Sequence, residues 1–343
     1  AAPLLAAAVA SIGNGNQVMS VVIIVLTTMS TASTILLTQH IGAGRTGEEC
    51  DEIATVGMTV IAVFSFAVGL FLLLDPEVLF RLMRTPEDAF AGACLYTRIV
   101  GGGVLLQGLY IELCAILRSY TLLKEVVAVS VVMNLLNVAG NAILINGFFG
   151  LPQLGVTGAA IATLIARVVE IVIVVVHARR SRVFHLDLGL LLRPGLRTVK
   201  QFIRYGSPVV CNETMWGLGT AIFPTIMGHM AGSTEILAAY TIAGNVEKLC
   251  MVVAFGISGT ASIIIGREIG AGRRSTVYEL AAALDTISFL CGAVIGTLLV
   301  ISAHTWLPVV VYPLFHLTPV SSEIATIILT FIGCLMPLRS FDT

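Results

Sequence analysis

The chain has little charge. Of its 343 residues, 11% are Asp, Glu, Lys or Arg and 57% are hydrophobic. A soluble globular domain carries about 25% charged residues, because its surface must face water. This chain has less than half of that charge, so most of its surface must face an apolar environment. The composition therefore predicts a membrane protein.

Several motifs are also missing, and each absence excludes a kind of site. The seven cysteines are scattered without a CxxC pair and the histidines do not cluster, so neither a disulfide framework nor a zinc site is predicted. No GxxxxGK(S/T) motif occurs, so any uphill transport must draw on an ion gradient or on a separate subunit. A net charge of −1 argues against a nucleic-acid partner. We expect no cofactor.

Long apolar runs are what the sequence does have. A helix needs about 20 mostly apolar residues to cross a bilayer. Sustained alternation of apolar and polar residues, which a membrane β-barrel requires, is absent from the sequence. The predicted fold class is therefore all-α and polytopic. The sequence predicts nine membrane helices, at 17–39, 53–74, 91–116, 125–147, 157–178, 206–229, 237–265, 280–303 and 324–342.

The positions of Lys and Arg predict how these helices are oriented. Thirteen of them fall in the loops on one side of the membrane and two in the loops on the other. Because basic loops stay in the cytoplasm, the first side is cytoplasmic. Residue 1 then lies outside, and no signal peptide precedes it. We therefore expect that the sequence is part of a longer chain.

The pentapeptide IGAGR occurs twice, at 41–45 and at 269–273, with an offset of 228 residues. Six predicted crossings separate the two copies, so both copies have the same orientation. Together with the further matches below, the repeat predicts an internal duplication. The further matches pair Ser30 with Ser258, Pro76 with Pro308, Thr85-Pro86 with Thr318-Pro319 and Gly103 with Gly333.

Such a duplication predicts two six-helix bundles related by a pseudo-twofold axis along the membrane normal. The predicted bounds are 1–178 for the N-terminal bundle, 179–205 for a basic cytoplasmic linker and 206–343 for the C-terminal bundle. Helix 206–229 of the second bundle has no counterpart in the first, and helices 125–147 and 157–178 of the first bundle have none in the second. We therefore expect that about nine of twelve helices are present.

Several stretches carry a resemblance to a known family: the GAG turn in each half, NAILINGFFGLPQLGVTGAAIATLIAR at 141–167, YGSPVVCNETMWGLG at 205–219 and AYTIAGNVEKLCMVVAFGISGTASIIIGREIGAG at 239–272. In order and spacing they resemble the multidrug and toxic compound extrusion (MATE) family, and its bacterial members in particular. The resemblance implies a multi-pass protein of the bacterial inner membrane that is not an enzyme. It implies a monomeric secondary antiporter, surrounded by lipid, that exports cationic or amphipathic drugs in exchange for Na⁺ or H⁺ by alternating access.

Glu213 is the first candidate for the coupling-ion site. It lies in the predicted helix 206–229, behind Pro208. A charged side chain at mid-membrane costs about 2.5–3.5 kcal/mol, and binding a proton or Na⁺ neutralises that charge. The resemblance implies an essential acid in this helix as well. Glu213 is therefore predicted to bind H⁺ or Na⁺, and the alternative is a buried acid that bonds to a neighbouring helix.

Two further acids are candidates for the same role. The resemblance implies that some members carry an acid in the tenth helix, where Asp342 falls. The internal repeat places Glu112 at the corresponding position of the first half. For both residues a structural role is the alternative.

A polar face predicts the substrate cavity. Asn134, Asn137 and Asn141 share one helix face because they are three and four residues apart. They either line a cavity or join helices. The predicted cavity residues are Asn16, Gln17, Asn137, Asn212 and Trp216. Arg167 and Glu170, one turn apart, are expected to neutralise each other structurally.

Two other functions are open. A flippase for lipid-linked oligosaccharides could share the two halves, but it would need several basic residues that face the cavity to bind pyrophosphate. Only four basic residues lie in the predicted spans. A membrane enzyme or receptor would not need two bundles of the same orientation, and no catalytic constellation is visible in the sequence.

Overall fold

A computed structural model describes residues 2–45, 47–83, 85, 87–147, 153–181, 195–228, 230, 232–315 and 317–341 of the protein. Within these ranges the chain is helical and contains no strand. The helices are α1 (Ala2–Gly42), α2 (Glu48–Leu74), α3 (Glu77–Leu82), α4 (Glu87–Gly101), α5 (Val104–Ser119), α6 (Leu123–Asn146), α7 (Gly155–Ser181), α8 (Leu196–Gly228), α9 (Ser233–Gly270), α10 (Arg274–His304), α11 (Tyr312–Leu314) and α12 (Pro319–Phe341). A π-helical segment, Leu307–Val311, precedes α11.

Seven of the described helices are long and apolar enough to cross a membrane: α1 from Ser11, α2, α6, α7, α9 from Glu235, α10 and α12. An eighth span is formed if α4 and α5 are taken together. The segments Ala89–Gly101 and Val104–Ser119 meet at an angle of 51°, whereas the sequence predicted one straight helix over 91–116. The bend falls at three consecutive glycines, 101–103, where the backbone is least restrained.

The predicted span 206–229 corresponds to part of α8. This helix is 33 residues long, but it is not one of the seven apolar spans found in the described part of the chain. Its central stretch carries Asn212 and Glu213 between several glycines, and these residues lower its hydropathy.

The chain divides into two units, Ala1–Glu213 and Thr214–Thr343. The division falls inside α8, after the predicted linker 179–205. Residues 182–194 of that linker lie outside the described residues, so the predicted domain bounds stay a prediction.

In the first unit, α1 contacts α2, α4, α5 and α7, and α6 packs along α7. Apolar residues that are fully buried, such as Leu36, Leu37 and Ile116, join α1 to α5. The start of α8 is fixed to this unit because Thr198 Oγ1 donates a hydrogen bond of 2.6 Å to Glu52 Oε1 on α2. This packing places the middle of α5 between α1 and α2.

In the second unit, α9 contacts α10 and α12, and α10 packs closely on α12. A Cβ atom added to Gly296 on α10 would overlap the carbonyl oxygen of Gly333 on α12. A similar contact occurs in the first unit, where a Cβ atom on Gly69 of α2 would lie 3.0 Å from the carbonyl oxygen of Gly101. The contacts therefore match Gly333 with Gly101, two positions from the Gly103 that the sequence paired with it.

The two IGAGR segments form the same turn. Gly44 has a φ angle of +72° and Gly272 has one of +73°. The amide of Arg45 bonds to the carbonyl of His40 at 3.0 Å, and that of Arg273 bonds to the carbonyl of Glu268 at 3.1 Å. A residue with a side chain is strained at such φ angles, so glycine ends the helix both times.

We expect the change Gly296→Ala to lower the free energy of unfolding by about 1–3 kcal/mol, because the added methyl group must push α10 away from α12. Thermal unfolding of the purified protein in detergent measures this change. Gly259→Ala on α9 is the matched control, because nothing lies within 4 Å of the added atom there. Equal losses for the two variants would contradict the close α10–α12 contact.

Candidate functional site

Glu112 is fully buried on α5, at 0% exposure, where α5 packs against α1 and α2. Ser33 Oγ on α1 donates a hydrogen bond to Glu112 Oε1. Ser30, one turn earlier on α1, is 1% exposed and lies beside the same carboxyl. Among the described residues, neither Glu112 Oε2 nor Ser30 Oγ has a hydrogen-bond partner. The first unit thus holds a buried carboxyl with one oxygen bonded and one free.

Gly57 on α2 allows this close approach. A Cβ atom at position 57 would overlap both Glu112 Oε1 and Ser33 Oγ. Any other residue at this position would therefore displace the carboxyl from Ser33. Three helices contribute to the geometry around Glu112: α1 supplies hydroxyls, α2 supplies space and α5 supplies the acid.

A cavity of about 130 Å³, lined by both polar and apolar side chains, lies in the same unit. Asn16 contributes to its lining, and the hydroxyl of Tyr96 donates a 2.8 Å hydrogen bond to Asn16 Oδ1. Gln17, its neighbour, is exposed and is not among the lining residues. The described lining residues are Asn16, Met19, Ser20, Ile23, Tyr96, Val100, Gly103, Gln107, Thr163 and Arg167.

The asparagine face of α6 joins helices. Asn137 Nδ2 donates to Thr163 Oγ1 on α7 at 3.3 Å, and Asn141 Nδ2 donates to Asn137 Oδ1 at 3.0 Å. Asn134 bonds back to the carbonyl of Ser130 on its own helix. The structure thus links Asn137 to the cavity through Thr163, which is a lining residue.

One member of an ion pair lines this cavity. Arg167 Nη1 lies 2.8 Å from Glu170 Oε2, as the one-turn spacing on α7 predicted. The side chain of Glu170 is 0% exposed and that of Arg167 is 20% exposed. Arg167 also lines the cavity. The cavity wall therefore contains a guanidinium whose positive charge is balanced by Glu170.

The predicted residues of α8 have a different environment. Glu213 is half-buried, and its carboxylate forms no hydrogen bond or ion pair with the described residues. Asn212 is exposed and Trp216 is 55% exposed. Asp342 lies outside the described residues.

A sequence model of the MatE family matches residues 1–143 and 208–342. The chain belongs to the MatE family. This membership confirms the resemblance seen in the sequence. It also indicates a multi-pass protein of the bacterial inner membrane, and the relatives below are named for transport or multidrug resistance. The family and its named relatives give no support to the alternative of a membrane enzyme or receptor.

Relatives of this MatE chain include the uncharacterized transporter YisQ of Bacillus subtilis (strain 168), which is 29% identical over 274 residues, or 79% of this chain and 59% of YisQ. The probable multidrug resistance protein NorM of Thermotoga maritima is 27% identical over 293 residues, covering 85% of this chain and 62% of NorM. The chain thus spans about 60% of the length of these two relatives.

The fold is also that of solved MATE structures. The Vibrio cholerae MATE transporter VcmN superposes with a TM-score of 0.84 at 20% identity, over 96% of this chain and 72% of VcmN. The predicted all-α, polytopic membrane fold is confirmed.

Some contacts of this MatE chain were not predicted from the sequence. Glu247 on α9 pairs with Arg339 on α12, although the sequence analysis assigned neither a partner. Arg98 on α4 lies 3.2 Å from Glu77 on α3, which also binds Arg81 at 3.3 Å. The Glu247–Arg339 and Glu77–Arg98 pairs join different helices, so no periodic spacing indicates them, whereas Glu77 and Arg81 are four residues apart on α3.

No group of three or more His, Cys, Asp or Glu side chains is placed to hold a metal ion in the described part of the chain. The carboxyl oxygens and hydroxyls found in the first unit are groups that suit a proton or an alkali cation rather than a transition metal. The candidate functional site is therefore made of the buried carboxyl and the cavity of the same unit.

Proposed function

We propose that the protein is a secondary antiporter that exports cationic or amphipathic compounds in exchange for Na⁺ or H⁺ by alternating access. The observation that carries this proposal is the set of polar and ionisable groups held inside the apolar helices of the first unit. Such groups are costly in a membrane and mark ion or substrate pathways. The name of the NorM relative, a probable multidrug resistance protein, supports drug-like substrates.

The coupling ion is proposed to bind at acids within the helices, for which Glu213, Glu112 and Asp342 are the candidates. An ion can drive transport only if it binds one conformation better than the other, and the substrate must prefer the opposite one. Glu213 supports this role because its carboxylate is without a partner among the described residues. An ion that neutralises it would therefore replace no protein contact.

The substrate is proposed to contact Asn16, Gln17, Asn137, Asn212 and Trp216. Asn16 supports this role because it lines the cavity of the first unit. The exposed indole of Trp216 suits a cationic substrate, because aromatic faces attract cations. We propose that the protein works as a monomer among membrane lipids.

The geometry disfavours the flippase alternative. A pyrophosphate-bearing lipid needs several free basic groups, whereas Arg167 is the one basic residue among the described lining residues of the cavity. Its guanidinium is already bound to Glu170. The antiporter therefore remains the proposed function.

Everted membrane vesicles that contain the full-length protein test the proposal. A Na⁺ gradient and a pH gradient are imposed separately, and the fluorescence of ethidium reports its accumulation inside the vesicles. We expect accumulation with one of the two gradients and none in vesicles that lack the protein. Absence of accumulation with either gradient, at a verified protein level, would overturn the antiport.

A further inference from the structure

Glu112 Oε2 and Ser30 Oγ are among the buried oxygens of the first unit that have no hydrogen-bond partner among the described residues. Both side chains are almost completely shielded, with exposures of 0% and 1%. A buried polar atom without a partner costs free energy, and a buried carboxylate costs more than a neutral carboxyl. The cost at Glu112 therefore falls when something neutralises the carboxylate and supplies a hydrogen-bond donor.

A proton on Glu112 Oε2 would do both. The hydroxyl of Ser33 already donates to Oε1, so this oxygen acts as an acceptor. A hydroxyl oxygen can accept as well as donate, and Ser30 lies beside the same carboxyl. Protonation of Oε2 would remove the buried charge and let Glu112 donate to Ser30 Oγ, whereas the hydroxyl of Ser30 can donate to the ionised carboxylate only with that charge still buried.

No cation in the described part of the chain takes that place. On its own helix the charged group that acts on Glu112 is Arg118, which lies beyond the next turn. Helices α1 and α2 face it with Ser30, Ser33 and Gly57.

The other elements that pack against α5 face different residues of that helix. On α7, Glu170 lies near Tyr110 and Cys114 and forms an ion pair with Arg167. Helix α6 faces α5 with the Ser130 hydroxyl, which lies 3.0 Å from that of Tyr110. The described neighbours therefore leave Glu112 without a counter-charge in contact.

The space around the carboxyl favours H⁺ over Na⁺. The space beside Glu112 Oε1 is filled, since even one added Cβ atom at Gly57 would overlap this oxygen and Ser33 Oγ, and Glu112 Oε2 and Ser30 Oγ are themselves shielded from solvent. A sodium ion needs room for its own volume and several oxygen ligands, whereas a proton adds almost no volume.

We propose that Glu112, Ser33 and Ser30 form a buried proton-binding site in the first unit, and that the site excludes Na⁺. The site deepens the proposed antiport, because it names residues that take up and release the coupling proton, and it rests on that function for its role. Gly57 is its positioning residue, since it keeps α2 from displacing the carboxyl.

Infrared difference spectroscopy of the full-length protein in lipid tests the site without transport. A protonated carboxylic acid has a carbonyl stretching band that its carboxylate lacks. We expect such a band to disappear as the pH is raised from about 5 to about 9, and to be missing in Glu112→Gln. Addition of Na⁺ at constant pH should leave it unchanged. A pH-dependent band that is the same in wild type and Glu112→Gln, or one removed by Na⁺, would overturn the proton site.

A milder variant keeps the proton site testable if Glu112→Gln does not fold. Ser33→Ala removes the donor to Oε1 and should shift the frequency of the band while the protein stays folded. Ser65→Ala is the matched control, because Ser65 is a buried serine on α2 that packs against Gly108 instead. Equal spectra for Ser33→Ala and wild type would overturn the assignment to Glu112.

A transport assay distinguishes failure of the proton site from failure of the proposed antiport. In everted vesicles, Glu112→Gln should lose ethidium accumulation driven by a pH gradient, while Ser65→Ala keeps it. If wild type accumulates ethidium and Glu112→Gln does so equally, the proton site fails and the antiport stands. If wild type does not accumulate ethidium under either gradient, the antiport fails, and the infrared band still decides the proton site.

Discussion

Replacement of Glu213 with glutamine is expected to abolish ion-coupled efflux while the protein remains in the membrane. Glutamine has nearly the same size but carries no charge that a proton or Na⁺ could neutralise. Because Glu213 has no partner among the described residues, the change breaks no known structural contact. Ethidium accumulation in everted vesicles measures the loss, and an immunoblot of the membranes measures the amount of protein.

Glu279→Gln is the control for this experiment. Glu279 is an exposed acid near the start of α10, and its loss should leave efflux unchanged. Wild-type extrusion of ethidium by Glu213→Gln would remove this residue from the mechanism. Loss of extrusion in both variants would point to a general sensitivity to charge and would equally contradict a specific role.

Replacement of Arg167 with methionine is expected to lower the free energy of unfolding by about 3–5 kcal/mol, because it leaves a fully buried carboxylate without its partner. Glu170 is 0% exposed and its Oε2 lies 2.8 Å from Arg167. Its Oε1 has no hydrogen-bond partner among the described residues, and Arg167 is the charged group that pairs with the carboxylate. Unfolding of the purified protein by heat or denaturant in detergent measures the effect.

The double variant Arg167→Met with Glu170→Met is the decisive control. When both members of a buried pair are replaced by apolar residues of similar volume, stability is often unchanged or higher. We therefore expect the double variant to regain most of what Arg167→Met loses. If the double variant is no more stable than the single one, packing of the Arg167 side chain rather than its charge holds the site.

The sequence was sufficient for the large features of the fold. Low charge and long apolar runs predicted a polytopic helical protein, and the two IGAGR segments predicted a repeated turn. Both depend on local chemistry: apolar length sets a membrane helix, and glycine sets a left-handed turn. The pair Arg167–Glu170 was also predictable, because residues three apart on a helix are neighbours.

The environment of Glu112 could not be predicted in the same way. The repeat suggested this acid, but Ser30, Ser33 and Gly57 come from two other helices, and their contacts depend on how α1, α2 and α5 pack. Helix periodicity determines which face a residue occupies, not which partner it meets. For the same reason the sequence could not decide whether Asn137 lines a cavity or joins helices. Its hydrogen bond to Thr163 on α7 shows that it joins two helices.

The φ angles of Gly44 and Gly272 have an evolutionary consequence. After a gene duplication, the two copies drift apart wherever many residues serve equally well, and most of the two bundles here no longer match. A position that only glycine occupies without strain cannot drift in this way, since any replacement costs about 1–2 kcal/mol. The two turns therefore preserve the similarity of the two copies. Had the helices ended in a turn that any residue can adopt, this similarity would have been lost.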